Sequence, residues 1–109
     1  MTVEAAQKKP HLPKAHPARF FLTAGAIDRL QDATIANIAE LTGLQRSKIA
    51  FYIDQLINDY EMQIDKIGEN YFTYAIRSWG RLLNPEGVRS YLCDYLDGKV
   101  PSPLPIRKA

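Results

Sequence analysis

One glycine sets the main constraint. Residues 34–56, TIANIAELTGLQRSKIAFYIDQL, carry apolar side chains at helical spacing on both sides of Gly43. Ile35, Ile38 and Ala39 share one face before it. Ile49, Ile53, Leu56 and Ile57 form a stripe after it, at i, i+4, i+7 and i+8. Glycine is the residue that best tolerates a left-handed helix stop. The expectation is a helix over 35–42, a short turn, and a second helix over 45–58. Two helices joined by so short a turn pack at a steep angle. That packing needs a small residue at the approach, and Ala39 stands four residues before the glycine. It also needs an apolar anchor in the second helix, and Ile49 stands six residues after it. Ile38 and Leu44 add two core positions. Thr42 occupies a position where an apolar residue is more usual, and its hydroxyl is expected to bond back to a helix carbonyl.

The flanks add three elements. Thr23 reads as the cap of a first helix over 23–31 that turns Ile27 and Leu30 inward. Beyond residue 58 the period changes. Residues 62–67, MQIDKI, begin with apolar–polar alternation. Residues 68–70, GEN, form a turn cluster, and residues 71–76, YFTYAI, are aromatic and β-branched. Two short strands about a glycine turn make a hairpin. Asn84 followed by Pro85 opens a last helix that closes near Gly98, with Val88, Tyr91, Leu92, Tyr95 and Leu96 on one stripe. Residues 1–19 contain Pro10, Pro13 and Pro17 without amphipathic period and read as a flexible basic arm. Residues 99–109, with proline at 101, 103 and 105, read as a basic tail.

Helix, helix, helix and hairpin in that order resembles the winged helix-turn-helix superfamily of small bacterial, phage and plasmid regulators, over about residues 22–76. Ala39, Gly43 and Ile49 carry the helix-turn-helix part; Ile53, Leu56, Ile64, Gly68 and Tyr71 carry the wing. The fold class expected is mainly α with a β-hairpin wing and an additional C-terminal helix. The resemblance implies that helix 45–58 enters the major groove of double-stranded DNA and that wing 62–76 touches neighbouring phosphate or minor groove. The face opposite Ile49 and Ile53 carries Gln45, Arg46, Ser47, Lys48, Ala50 and Phe51. Arg46 suits guanine and Gln45 suits adenine. Ser47 suits base or phosphate, Lys48 phosphate, and Ala50 or Phe51 a thymine methyl. A second placement of Phe51, in the core, follows from a small rotation of the helix wheel. Lys66 and Asn70 at the wing tip suit phosphate; Glu69 does not. Arg77 and Arg81 either extend a basic edge or pair with acids of the third helix.

Charge argues against a simple DNA reading. Residues 22–98 hold seven basic and eleven acidic side chains, whereas 1–21 and 99–109 are each basic by three. Phosphate attraction must therefore come from a local face or from the ends. The acidic body keeps two other functions in view: a protein-interaction module on the same scaffold, and an accessory factor for plasmid or phage replication, partition or transfer. An enzyme is not expected. His11 and His16 stand in the proline-rich arm with no cysteine or acidic cluster beside them, Cys93 has no histidine in its element, and no glycine-rich phosphate loop exists. No metal or cofactor is expected. A single cysteine excludes an internal disulfide, and no apolar run is long enough to span a bilayer, so a cytoplasmic regulator, most simply a repressor, is the expectation. The stripe Val88, Tyr91, Leu92 and Tyr95 has two readings, core cover or homodimer interface. The tyrosines favour the interface.

Overall fold

The computed structural model describes residues 17–101. The element order is α1 (Ala18–Arg29), α2 (Ile35–Thr42), α3 (Arg46–Asp59), β1 (Gln63–Ile67), β2 (Thr73–Ser78) and α4 (Pro85–Leu96). Among the described residues this is a mainly helical fold with one two-stranded antiparallel hairpin. The expected arm lies, over 1–16, outside the described residues, as does the expected tail over 102–109.

The glycine-centred pair is built as its residues dictate. Thr34 caps α2, accepting from the amide of Asn37 at 3.0 Å. Gly43 ends it in the left-handed conformation, φ 81°, with its amide on the Ala39 carbonyl at 2.7 Å. Thr42 is fully buried, and its hydroxyl donates to the Ile38 carbonyl at 2.7 Å while accepting from the Leu44 amide at 3.2 Å. A hydroxyl satisfied on both sides substitutes for the apolar residue at little cost.

Three expectations need correction. First, α1 starts at Ala18, not Thr23. Thr23 lies inside the helix, buried, with its hydroxyl on the Arg19 carbonyl at 2.9 Å. The true start follows Pro17, whose missing amide costs nothing at a helix entry. Ala18 is buried, so the arm assigned to 1–19 gives up its last residues to the domain. Second, the buried face of α3 is Ile49, Tyr52, Ile53 and Leu56; Ile57 is exposed. Tyr52 turns inward to meet Phe20 edge-on, ring centroids 5.6 Å apart. Third, β2 lies two residues later than expected, leaving 68–72 as the turn.

The core has two joined parts. Leu22, Ile38, Leu44, Ile49 and Ile53 fill the centre of the helices, with Leu92 of α4 against them. Ala24, Leu56, Met62 and Val88 fill the second part, under Ile64 and Ile76 of the hairpin. In the hairpin, Ile64 stands opposite Ile76 and Ile67 opposite Thr73, with a register shift between Gln63 and Ile64. The hairpin is also tied to the link between α1 and α2: the Tyr74 amide donates to the Ala33 carbonyl at 3.0 Å.

The last helix is capped as expected. The Asn84 side chain accepts from the Glu86 amide at 3.0 Å, and Pro85 takes the first helical position. Its apolar stripe, however, faces the protomer. Val88 and Leu92 are buried in the chain's own core. A Cβ on Gly25 would stand 3.2 Å from the Leu92 Cβ, so α1 and α4 approach closely where α1 is bare. Tyr91 meets the edge of Phe21, and the Tyr95 hydroxyl donates to the Thr42 carbonyl. The four residues expected to centre a two-fold interface therefore line the inside of α4. The reason is a contact between distant helices: α1 offers small Ala24 and bare Gly25 as the seat for this helix.

Candidate nucleic-acid interface

The N-terminal half of α3 presents one continuous exposed face. Gln45 precedes the helix in extended geometry, φ −71° and ψ 131°, and its side chain makes no capping bond. Arg46, Ser47, Lys48, Ala50 and Phe51 are all exposed, while Ile49 between them is fully buried. Every residue assigned to this face from the sequence lies on it. Phe51 is 53% exposed, which decides between its two placements; its ring leans on Tyr52, centroids 5.9 Å apart.

The cations of this face differ from three arginines elsewhere in the domain. Arg77 holds Asp65, Arg81 holds Glu61 and Arg89 holds Asp28, each at 2.8 Å. The Arg81 guanidinium keeps the Glu61 carboxyl below the usual carboxylate range. The partners of Arg77 and Arg81 come from the hairpin and its approach, not from the third helix, so neither arginine extends a basic edge. Arg46 and Lys48 make no ion pair among the described residues. No acid stands in the first turn of α3. Its first amides and the positive end of its dipole thus act together with two free cations, a combination that attracts anions. Asp54, one helical turn beyond Ala50, limits the anion-favouring surface to the first two turns.

The hairpin supplies a second surface. The Lys66 ammonium lies over the Phe72 ring, 4.4 Å from its centroid. That contact fixes the stem and leaves the charge at the surface. Asn70 is exposed in the turn beside Glu69. The turn is held in one shape by Gly68, φ 120°, where a Cβ would run into the Tyr71 carbonyl. The Tyr71 hydroxyl in turn donates to the Asp32 carboxylate. Sequence reasoning missed Asp32, Ala33 and Phe72 as the groups that position the hairpin. Nothing local links Asp32 to a tyrosine 39 residues away.

The described residues contain no group of three or more His, Cys, Asp or Glu able to hold a metal ion, and no helix long and apolar enough to cross a membrane. The two histidines lie outside the described residues. Cys93 is exposed, with the Arg29 guanidinium 3.8 Å from its sulfur.

No family model matches the chain, and no curated protein matches it. Among solved structures it is similar to a DUF2131 family protein from Shewanella amazonensis SB2B, with a TM-score of 0.63 and 18% sequence identity over 81% of this chain and 94% of the other. At that identity the likeness is one of fold.

Proposed function

We propose that the chain is a winged helix-turn-helix protein that binds double-stranded DNA as a regulator, with the first turns of α3 in the major groove and the hairpin against the adjacent backbone. The observation that carries the reading is the contrast in cation pairing. Arg46 and Lys48 stand free on an exposed face at an acid-free helix start, while Arg77, Arg81 and Arg89 are all neutralised. Recognition helices read bases with their N-terminal residues, where Gln45, Arg46 and Ser47 stand. The bond from Tyr74 to Ala33 supports the winged assignment, since it attaches the hairpin to the link before α2 and so fixes its place beside the two-helix unit. The acidic charge of the rest of the domain restricts the contact to this face and directs the helix to enter by its end.

Selection from a random duplex pool tests the proposal. The wild-type chain should enrich a short common site, and Arg46→Ala should lose preference at one position of it. A pool with no enrichment, bound equally by Arg46→Ala, would overturn it. Two copies on a pseudo-palindromic site remain part of the proposal, meeting through a surface other than the inner face of α4. Light scattering with the selected duplex measures this.

The second reading, a protein-interaction module, is favoured by one feature. Phe51, Ile67 and Tyr71 are each more than half exposed, 53%, 52% and 59%. If Phe51→Ala leaves duplex binding intact and abolishes capture of a defined protein partner, this reading replaces the first.

A further inference from the structure

The hairpin has one capped edge and one open edge. In an antiparallel pair, opposed residues alternate between two kinds. One kind exchanges backbone bonds; in the other, both N–H and C=O groups point away from the pair. The Tyr74 amide turns away from β1 to the Ala33 carbonyl, so Tyr74 and Lys66, which stands opposite it, are a pair of the second kind. Ile64 and Ile76, two residues along each strand, are another. The backbone N–H and C=O of Ile64 and Lys66 therefore point out along the free side of β1. Among the described residues no other backbone group reaches them. Such edges are commonly blunted by a bulge or a lysine. Here neither stands in the way. The register shift lies between Gln63 and Ile64, at the strand's start, and leaves Ile64 to Ile67 in regular pairing. The Lys66 ammonium lies over the Phe72 ring and so leans across the hairpin, away from the edge.

We propose that the open edge of β1 pairs with the β1 edge of a second copy of the chain, antiparallel about a two-fold axis at Asp65, to make one continuous sheet. The register follows from which groups point outward. Ile64 against Ile64 would leave Lys66 opposite Met62, whose amide is already on the Leu56 carbonyl. Lys66 against Lys66 would set like charges directly opposite. Ile64 against Lys66 uses every outward group and gives four backbone bonds, two in each opposed pair. It also brings the two Asp65 side chains face to face. Arg77 answers that charge: one of its nitrogens holds Asp65 at 2.8 Å, and both side chains are well exposed. Across the axis the order becomes Arg77, Asp65, Asp65, Arg77, and each guanidinium has donors left for the second carboxylate. So short an edge associates weakly, with a Kd on the order of 1 mM, far above the concentrations of unfolding experiments. On a two-part duplex site the same contact becomes intramolecular, and a weak one suffices. The pairing gives the two copies proposed above their surface. It is tested without DNA, so its failure leaves the reading of α3 standing, and a failed duplex selection leaves the pairing standing.

The test uses the isotope-labelled full chain, diluted from about 2 mM, a range that brackets the expected Kd. Sedimentation equilibrium should show monomer passing to dimer, and the amide shifts that follow concentration should be those of β1. In a mixture of labelled and unlabelled chains, nuclear Overhauser effects between chains should join Ile64 to Lys66. Lys66→Pro removes one outward N–H and none of the bonds within the hairpin, and it should abolish the dimer. Arg77→Ala keeps every backbone bond and should weaken association about 3- to 10-fold. Adding Asp65→Asn to Arg77→Ala should restore it, because the opposed charges are then gone; a damaged fold would not be rescued in this way. A wild-type chain that stays monomeric at the highest concentration would overturn the proposal. So would a dimer that survives Lys66→Pro, contacts between chains confined to α4 or another surface, or a double variant that associates no more tightly than Arg77→Ala.

Discussion

Tyr71, in the hairpin turn, donates its hydroxyl to the carboxylate of Asp32, in the link between α1 and α2. Three residues on, the Tyr74 amide reaches the carbonyl of Ala33. A two-stranded hairpin alone is marginally stable in water. These two bonds, with Ile64 and Ile76 on the core, fix its angle relative to α3, so any surface shared by hairpin and helix is set before a partner arrives.

The Tyr71–Asp32 bond has a pH signature. Donation to a carboxylate, with the nearby negative charge, raises the Tyr71 pKa above the ordinary phenol value. The neutral phenol is the bonded form. Its stabilisation is complete below the unfolded pKa of about 10 and is lost as pH rises through the higher folded value. Phenolate absorbance of wild type minus Tyr71→Phe should titrate above the free-tyrosine range. Asp32→Ala should bring that titration back toward it.

Helix α4 belongs to the protomer core, and stability should report this. Leu92→Ala should cost about 2–5 kcal/mol, the usual range for a buried leucine. Gly25→Val, which forces branched bulk against Leu92, should cost about 1–3 kcal/mol. Urea unfolding measures both, and the losses should not depend on protein concentration. A midpoint that rises with concentration in the wild type would mean that the helix is shared between copies.

Local signals explain what was legible in the sequence. Gly43, Asn84 and Pro85 mark helix ends through their own backbone chemistry, and each stands where that chemistry placed it. The exposed face of α3 follows from Ile49 and Ile53 alone. Errors arose where two local signals competed or where a distant contact decided. Thr23 offered a cap, yet Pro17 had already opened the helix and Ala18, Leu22 and Ala26 continued its buried stripe. Tyr52 and Ile57 flank the same stripe on α3, and Tyr52, which meets Phe20 of another helix, is the one that is buried. The inner face of α4 has the composition of an interface, and what turns it inward is a distant contact, Leu92 against bare Gly25, that no local signal in either helix announces.

That start is itself testable by truncation. A chain beginning at residue 20 loses buried Ala18 and the Arg19 carbonyl that accepts from the Thr23 hydroxyl. A buried hydroxyl without its acceptor costs about 1–3 kcal/mol. A chain beginning at residue 17 keeps both. The shorter chain should melt lower than the longer one by an amount matching that cost. Equal melting temperatures would return residues 17–19 to the arm.

The two free cations of α3 should differ in what they do on DNA. Arg46 stands at the first helical position, with a planar guanidinium able to pair with both acceptors of a guanine edge. Arg46→Ala should cost about 1–3 kcal/mol on the selected duplex and relax one base position. Lys48, two residues on, is a point charge suited to phosphate. Lys48→Ala should weaken binding evenly across sequences and reduce the slope of log affinity against log salt by about 0.9, one counterion-releasing contact. Arg81→Ala serves as the control, because Arg81 is already neutralised by Glu61 through two hydrogen bonds. It should leave the slope unchanged. Fluorescence anisotropy over a range of salt concentrations measures all three. If Arg81→Ala lowers the slope while Lys48→Ala does not, the phosphate contact lies at the hairpin base, and the orientation of α3 proposed above is wrong.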